Sequence, residues 1–342
     1  MAKKKKSKPV KKGKASKAKK RKGKKGGSLG VLIAAVVIIA LFVVVSQVKR
    51  GEPVKYIKAT KTAEWGVKGA KDGELDSPRG VGVSKDGYVY VADMNNSRIV
   101  KFDREGKFVS NWGIKGNKAG QFNEPSGLFV SPVGDIFVAD AWNGRIQRFD
   151  ANGKYITEIG GQKASFYSPR AVGVSKNGIV YVADTGTSRV HRFDVEGNRL
   201  GNPVGGQGKG IDKFSEVFGI AFDSKGKVYA ADPGNRRVVV LTSDLRAESE
   251  IKIKGWNEGY PLWPMLAIDS NDILYAVSSG TQDIWIYDLK EKKPKYKGTI
   301  KNDAKDKPLF SSPLGIAVDA ENSVYVTDLA QNKVVKFRPV ID

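Results

Sequence analysis

The phrase Tyr90-Val91-Ala92-Asp93 decides the fold. It returns intact at Tyr181–Asp184 and in varied form at Phe137–Asp140 (FVAD), Tyr229–Asp232 (YAAD), Tyr275–Ser278 (YAVS) and Tyr325–Asp328 (YVTD). The last positions of successive copies lie 47, 44, 48, 46 and 50 residues apart, which makes six units. A period of this length, with apolar and β-branched residues in short runs between turn residues, predicts an all-β array of small sheets.

Each unit carries the same grammar around that phrase. Upstream, Pro-x-Gly opens a short apolar strand: PRGVGV from Pro78, PSGLFV from Pro125, PRAVGV from Pro169 and PLGIAV from Pro313. A Gly- or Asn-containing turn follows, such as Ser84–Gly87 or Ser175–Gly178. Downstream, after a polar turn, Arg and an aliphatic residue open a third strand, at Arg98, Arg145, Arg189 and Arg237. It ends in Phe-Asp in the first three units, and a second tight turn leads to a fourth strand such as Lys107–Trp112. Four short strands per unit of about 45 residues describe one blade of a β-propeller.

These residues resemble the NHL repeat over about 77–342, which implies an all-β, six-bladed NHL-type propeller. For function the resemblance is broad, since such propellers range from scaffolds to enzymes. Departures are local: Ala171 replaces Gly in unit three, Val217 replaces Pro in unit four, and unit five has Leu266, Ser278 and Asp283 in place of Gly, Asp and Arg.

Unit six stops after its third strand, near Phe337–Val340, while an orphan strand with the sequence TKTAEWG, ending at Gly66, precedes unit one. The orphan, within about Tyr56–Trp65, is expected to complete the last blade as its outer strand and so remove an open edge. Strand direction then defines two faces. Face A collects the loops before Pro-x-Gly and the turns after each Tyr-Val-Ala-Asp; face B carries the short Gly turns.

The N-terminus reads differently. Of 59 Lys and Arg residues, fifteen lie in 1–28, which contains no acidic residue, and Lys49 and Arg50 add two more. The rest of the chain, with 42 basic and 36 acidic residues, is close to balanced, so the extreme charge belongs to a tail and a nucleic-acid partner is not expected. From Leu29 to Val45 no side chain is polar. With Ser46–Val48 this run approaches the roughly 20 residues that cross a bilayer core. The domain reading is a Lys-rich cytoplasmic tail (1–28), a transmembrane helix (29–48), a linker (49–55) and the propeller (56–342). The basic excess before the span predicts a cytoplasmic N-terminus, with the propeller periplasmic or extracellular at the inner membrane. Membrane lipid is then a partner of the helix and the tail. A cleavable signal peptide fits less well, because the apolar run exceeds the usual 7–15 residues.

The chemistry is sparse. With no cysteine and one histidine, a zinc site has too few ligands. His191 lies in a third strand, where a packed structural role is expected. The repeated Asp93, Asp140, Asp184, Asp232 and Asp328 are read as capping the turns that follow them, with the neighbouring Arg as partner. The glycines of Gly205–Gly210 lack the Ser/Thr and helix of a phosphate loop. No catalytic residue, metal ligand or cofactor is expected. Leu75, Phe122, Phe166, Phe214 and Phe310, each three positions before a unit's first strand, are read as plugs between blades.

Positions that differ between blades carry the functional expectation. The middle residue of Pro-x-Gly reads Arg79, Ser126, Arg170, Phe218, Met265 and Leu314, basic on one side and apolar on the other. Trp142, Tyr260 and Trp263 are large side chains in loops, of the kind enriched in binding hot spots. The expectation is a membrane-anchored scaffold, a subunit of an envelope assembly, that docks protein partners through Arg79, Trp142, Arg170, Phe218 and Trp263 on the membrane-distal face A. The alternatives are a metal-dependent lyase or hydrolase with an acidic site in the channel, and a glycan or cell-wall binder.

Overall fold

In the computed structural model, which describes residues 54–161, 166–257 and 263–341, every unit forms a four-stranded antiparallel sheet, with neighbouring strands adjacent in sequence in the first five. Blade 1 comprises Pro78–Val83, Val89–Asp93, Arg98–Phe102 and Phe108–Trp112. Blade 2 comprises Pro125–Val130, Ile136–Asp140, Arg145–Phe149 and Tyr155–Gly160; blade 3 comprises Pro169–Val174, Val180–Asp184, Arg189–Phe193 and the two-residue Val204–Gly205. Blade 4 is Ile220–Phe222, Val228–Asp232, Arg237–Leu241 and Ala247–Lys252, and blade 5 is Leu266–Ile268, Ile273–Ser278, Asp283–Asp288 and Lys295–Ile300. Blade 6 takes Pro313–Val318, Val324–Asp328 and Lys333–Pro339 from the end of the chain and Ala59–Trp65 from its beginning.

The closing strand pairs antiparallel with Lys333–Pro339, from Ala59↔Pro339 to Trp65↔Val334, with a bulge between Lys61 and Ala63. It starts at face B, as expected from strand direction. Just before it, Tyr56 bridges to Thr299 of blade 5, with Ile57 N donating to Thr299 O at 2.9 Å. The incoming chain therefore ties blade 5 to blade 6 as well as completing blade 6. Residues 1–53, which include the basic tail and the apolar run, lie outside the described residues, as does Tyr260. Among the described residues no helix is long and apolar enough to cross a membrane.

Apolar clusters fill the spaces between successive blades. Leu75, Phe122, Phe166, Phe214 and Phe310 are all buried in them, 0–6% exposed. A buried ring of this size stabilises the fold by about 1.5–3 kcal/mol. In the fifth gap Trp256 fills the corresponding space, with its indole N–H donating to Val277 O at 3.0 Å. The buried tyrosines add stitches: Tyr90 Oη donates to Ala151 O at 3.2 Å and Tyr181 Oη to Ser243 O at 2.7 Å, each reaching the next blade.

The recurring glycine of Pro-x-Gly has a steric cause. A Cβ on Gly127 would stand 2.4 Å from Arg170 O and 2.7 Å from Ala171 Cα of blade 3. One on Gly80 would stand 2.4 Å from Ser126 O. The inner strands converge backbone to backbone at their face A ends. Beyond this constriction the channel widens towards face B into a cavity of about 670 Å³, with Val83, Phe129, Val174, Phe222 and Val318 among its lining residues.

Candidate functional site

The repeated aspartates organise face A, but not in the way expected. Asp93 Oδ1 accepts from Asp76 N at 2.6 Å, Asp140 from Asn123 N at 2.7 Å, Asp184 from Tyr167 N at 2.8 Å and Asp232 from Ser215 N at 3.0 Å. Each carboxylate thus caps the loop before its blade's first strand, because antiparallel pairing sets the end of the second strand beside that loop (Pro78↔Asp93, Pro125↔Asp140). Asp328 does both, accepting from Ser311 N at 2.6 Å and from Gln331 N in the following turn at 3.1 Å. The second oxygen takes the expected arginine in three blades: Arg98, Arg145 and Arg237 Nε donate to it at 2.8–2.9 Å. The same guanidiniums reach on to loop carbonyls, so each Asp–Arg pair pins a loop; Arg237 bonds Gly210 O at 2.7 Å and Lys213 O at 2.9 Å.

Blade 3 departs from this scheme. Arg189 is exposed and Asp184 takes the Thr187 hydroxyl at 2.6 Å instead. Burial lifts the Asp184 carboxyl to about 6, with the Thr187 and Tyr167 hydrogen bonds pulling the other way. His191 is packed, as expected, edge-on to Phe166 and beside Asp184, its Nε2 3.8 Å from the carboxylate. Its Nδ1 accepts from Arg199 at 2.7 Å, which leaves the proton on Nε2. Burial, then Arg199 and Arg189, lower it to about 4. Among the described residues no group of three or more His, Asp or Glu side chains is placed to hold a metal ion.

The blade-specific residues stand on the same loops and strand ends, and the structure divides the five expected ones. Arg79 of blade 1, Arg170 of blade 3 and Trp263, which precedes blade 5, come together where the inner strands converge. Arg79 Cζ lies 4.0 Å from the Trp263 ring centroid and Arg170 Cζ 5.5 Å. These are cation–π distances. Glu124, just before blade 2, stands between the two arginines, with Oε2 3.7 Å from Arg79 Nη1 and 3.6 Å from Arg170 Nη1. Trp263 has φ 46°, and Ser77, Glu124 and Ser168 at the equivalent pre-strand position have φ of 57°, 56° and 63°. Four of the six blades thus carry a left-handed residue here, and blade 5 fills the position with an indole that reaches across the mouth.

Phe218 is not part of this surface. It is 2% exposed and packs with Tyr229, Leu266 and Leu274 between blades 4 and 5. The regular inner strand of its blade starts only at Ile220. Leu314 and Ser126 are likewise buried, so the variable ring seals the constriction more than it forms a rim. Trp142 is the opposite case, 64% exposed in a 3-10 turn, Ala141–Asn143. Tyr167, 72% exposed on the neighbouring blade's loop, joins it. The Trp142 and Tyr167 segments are adjacent, since a Cβ on Gly144 would stand 2.8 Å from Phe166 O. Sequence reading missed Glu124 and Tyr167. Comparing the blades one and two positions before the proline would have shown both as departures.

The electrostatics of the mouth are unbalanced. Burial, and then the neighbouring Arg170, lower Arg79 to about 10, with Glu124 opposing. Burial also lowers Arg170. Arg79 Nε, Arg79 Nη1 and Arg170 Nη1 are buried with no hydrogen-bond partner, the Glu124 oxygen lying beyond normal hydrogen-bond length.

Comparison with known proteins supports the architecture. The family model described as "NHL repeat" matches residues 75–102, 122–149 and 166–193. A curated relative, "RING finger protein nhl-1" of Caenorhabditis elegans, is 51% identical over 47 residues, 14% of this chain and 5% of that protein. The chain thus spans a small fraction of that relative. Among solved structures, "Streptogramin B lyase structure" superposes with TM-score 0.55 at 15% identity, covering 84% of this chain and 98% of that one. A catalytically inactive virginiamycin B lyase from Staphylococcus aureus with quinupristin gives 0.57 at 14% identity, covering 82% and 98%. Kuenenia stuttgartiensis hydrazine synthase gives 0.54 at 12%, covering 80% and 99%. At these identities the likeness is one of fold.

Proposed function

From the premise that the chain is an NHL-repeat, six-bladed β-propeller, we propose that it is a membrane-anchored interaction module docking a protein partner through face A. The observation that carries this reading is Trp142. Its equivalents in the 3-10 turns of blades 3 and 4 are Gly186 and Gly234. The turn therefore needs no indole, and at 64% exposure the ring contributes little to packing within the chain. An exposed aromatic pair, Trp142 and Tyr167, near a cationic mouth has the composition of a protein-binding hot spot.

The apolar run 29–48 supplies the anchor in this proposal, with the basic tail in the cytoplasm. Seven residues, 49–55, separate the end of the run from Tyr56, a span of at most about 25 Å. The closing strand starts at face B, so face B lies towards the bilayer and face A away from it.

Affinity capture from membranes tests the docking surface, comparing the intact chain with a Trp142→Ala, Tyr167→Ala variant. Both side chains are exposed, so the fold should be unaffected. Loss of specific partners is the expected result; recovery of the same partners in the same yield would move docking away from face A.

A further inference from the structure

The mouth holds two arginines against one glutamate, an excess of one positive charge in a place from which water is largely removed. Arg79 is 7% exposed, and two of its donors, with one from Arg170, have no acceptor. A buried donor without an acceptor costs about 1–3 kcal/mol, and more when charged. Glu124 does not supply the missing bonds, since its oxygen stands 3.6–3.7 Å from both guanidiniums. Trp263 lays its ring over the same two cations, and the three unpartnered donors are closed to solvent, so an acceptor reaches them only when the indole swings aside.

We propose that the mouth is a receptor for one carboxylate, an aspartate or glutamate side chain of the docking partner, held by Arg79 and Arg170 against Trp263. This rests on the docking reading above and names the chemistry at its centre. A single carboxylate matches the excess charge and brings acceptor positions enough for three donors. A phosphate dianion would overshoot that charge and meet Glu124 at close range. The acid belongs to an internal segment of the partner, because exposed side chains lie on face A away from the channel: Trp142 and Tyr167 on blades 2 and 3, and Val67 and Ile114 just after the outer strands of blades 6 and 1. A segment crossing face A would rest aromatic and aliphatic contacts on these and drop its acid into the centre. Electrostatic complementarity of this kind selects the partner and fixes its register.

The test uses the full chain in nanodiscs of uncharged lipid, labelled with 5-fluorotryptophan, with the Trp263 resonance assigned through a Trp263→Phe variant. Three probes are titrated: the capped pentapeptide Gly-Tyr-Glu-Tyr-Gly, its Gln isostere, and that Gln peptide with a free C-terminal carboxylate. The expected result is a saturable shift of the Trp263 resonance by the Glu peptide and roughly tenfold weaker binding of the capped Gln peptide, the loss of one charge-assisted contact. In an Arg170→Gln chain the two should bind alike. Equal binding of the Glu and Gln peptides to the unaltered chain overturns the inference without any variant, as does a preference that survives Arg170→Gln. Tighter binding of the free-terminus peptide would assign the mouth to chain ends and overturn the side-chain assignment. Failure here with capture still dependent on Trp142 removes the carboxylate receptor and leaves face A docking. Loss of Trp142-dependent capture with a Glu preference intact removes the docking partner instead.

Discussion

Arg237 and Arg189 occupy the same place in the repeat, opening the third strands of blades 4 and 3, and the structure predicts opposite consequences for replacing them. Arg237 donates to Asp232 at 2.9 Å, Glu250 at 2.6 Å, Gly210 O at 2.7 Å and Lys213 O at 2.9 Å. Asp232 is fully buried. Arg237→Met keeps most of the aliphatic stem but leaves Asp232 with only Ser215 N and Asn235 and strips two loop carbonyls of their donor. Removing one partner of a buried pair costs about 3–5 kcal/mol. Packing by the Met side chain recovers part of this, so about 3 kcal/mol is expected, a Tm lower by roughly 6–12 °C. Arg189 is exposed, and Arg189→Met should change stability by no more than about 0.5 kcal/mol. Thermal unfolding of the full chain in detergent, followed by far-UV circular dichroism, compares them. Hydrogen exchange should also show the loop at 208–215 loosened only in the Arg237 variant. Equal Tm losses in the two variants would refute the claim that the Asp–Arg pair pins the loop.

Three other outcomes follow from the geometry. Gly127 has no left-handed φ, so Gly127→Ala acts through its clash with Arg170 O and should cost about 1–3 kcal/mol, while Ala171→Gly at the equivalent place should cost about 1 kcal/mol or less; equal Tm shifts would dissolve the steric account. His191, lowered to about 4 when folded, binds its proton near 6.5 once unfolded, so the stability it contributes above pH 6.5 drains away as pH falls towards 4. The difference in unfolding free energy between the natural chain and His191→Leu, which cannot bond Asp184, should therefore shrink on the order of 3 kcal/mol from pH 7 to 4; a pH-independent difference contradicts this. Cysteines at Asp86 and Asn152, in face B turns, should crosslink to photoreactive lipid more than cysteines at Asn95 and Asn143 on face A, and the reverse order would invert the proposed orientation.

Sequence by itself determined the number of blades, the strand grammar and the closing strand at Ala59–Trp65, because a blade's pairing is local and its turns and alternation recur every 44–50 residues. It also marked Arg79, Arg170 and Trp263 as departures from the repeat. Only the tertiary structure decided what became of the departures. Phe218 and Arg79 share one repeat position, yet Phe218 packs among neighbours between blades 4 and 5, whereas Arg79 meets Trp263 from a blade that is not adjacent. Arg189 and Arg237 are alike in sequence, yet Arg189 is exposed while Arg237 is buried on Asp232. The physical reason is common to all of these. Repeat grammar encodes contacts within a blade, while burial, charge balance and the meeting of Arg79, Glu124, Arg170 and Trp263 depend on how closely six inner strands converge when the ring closes.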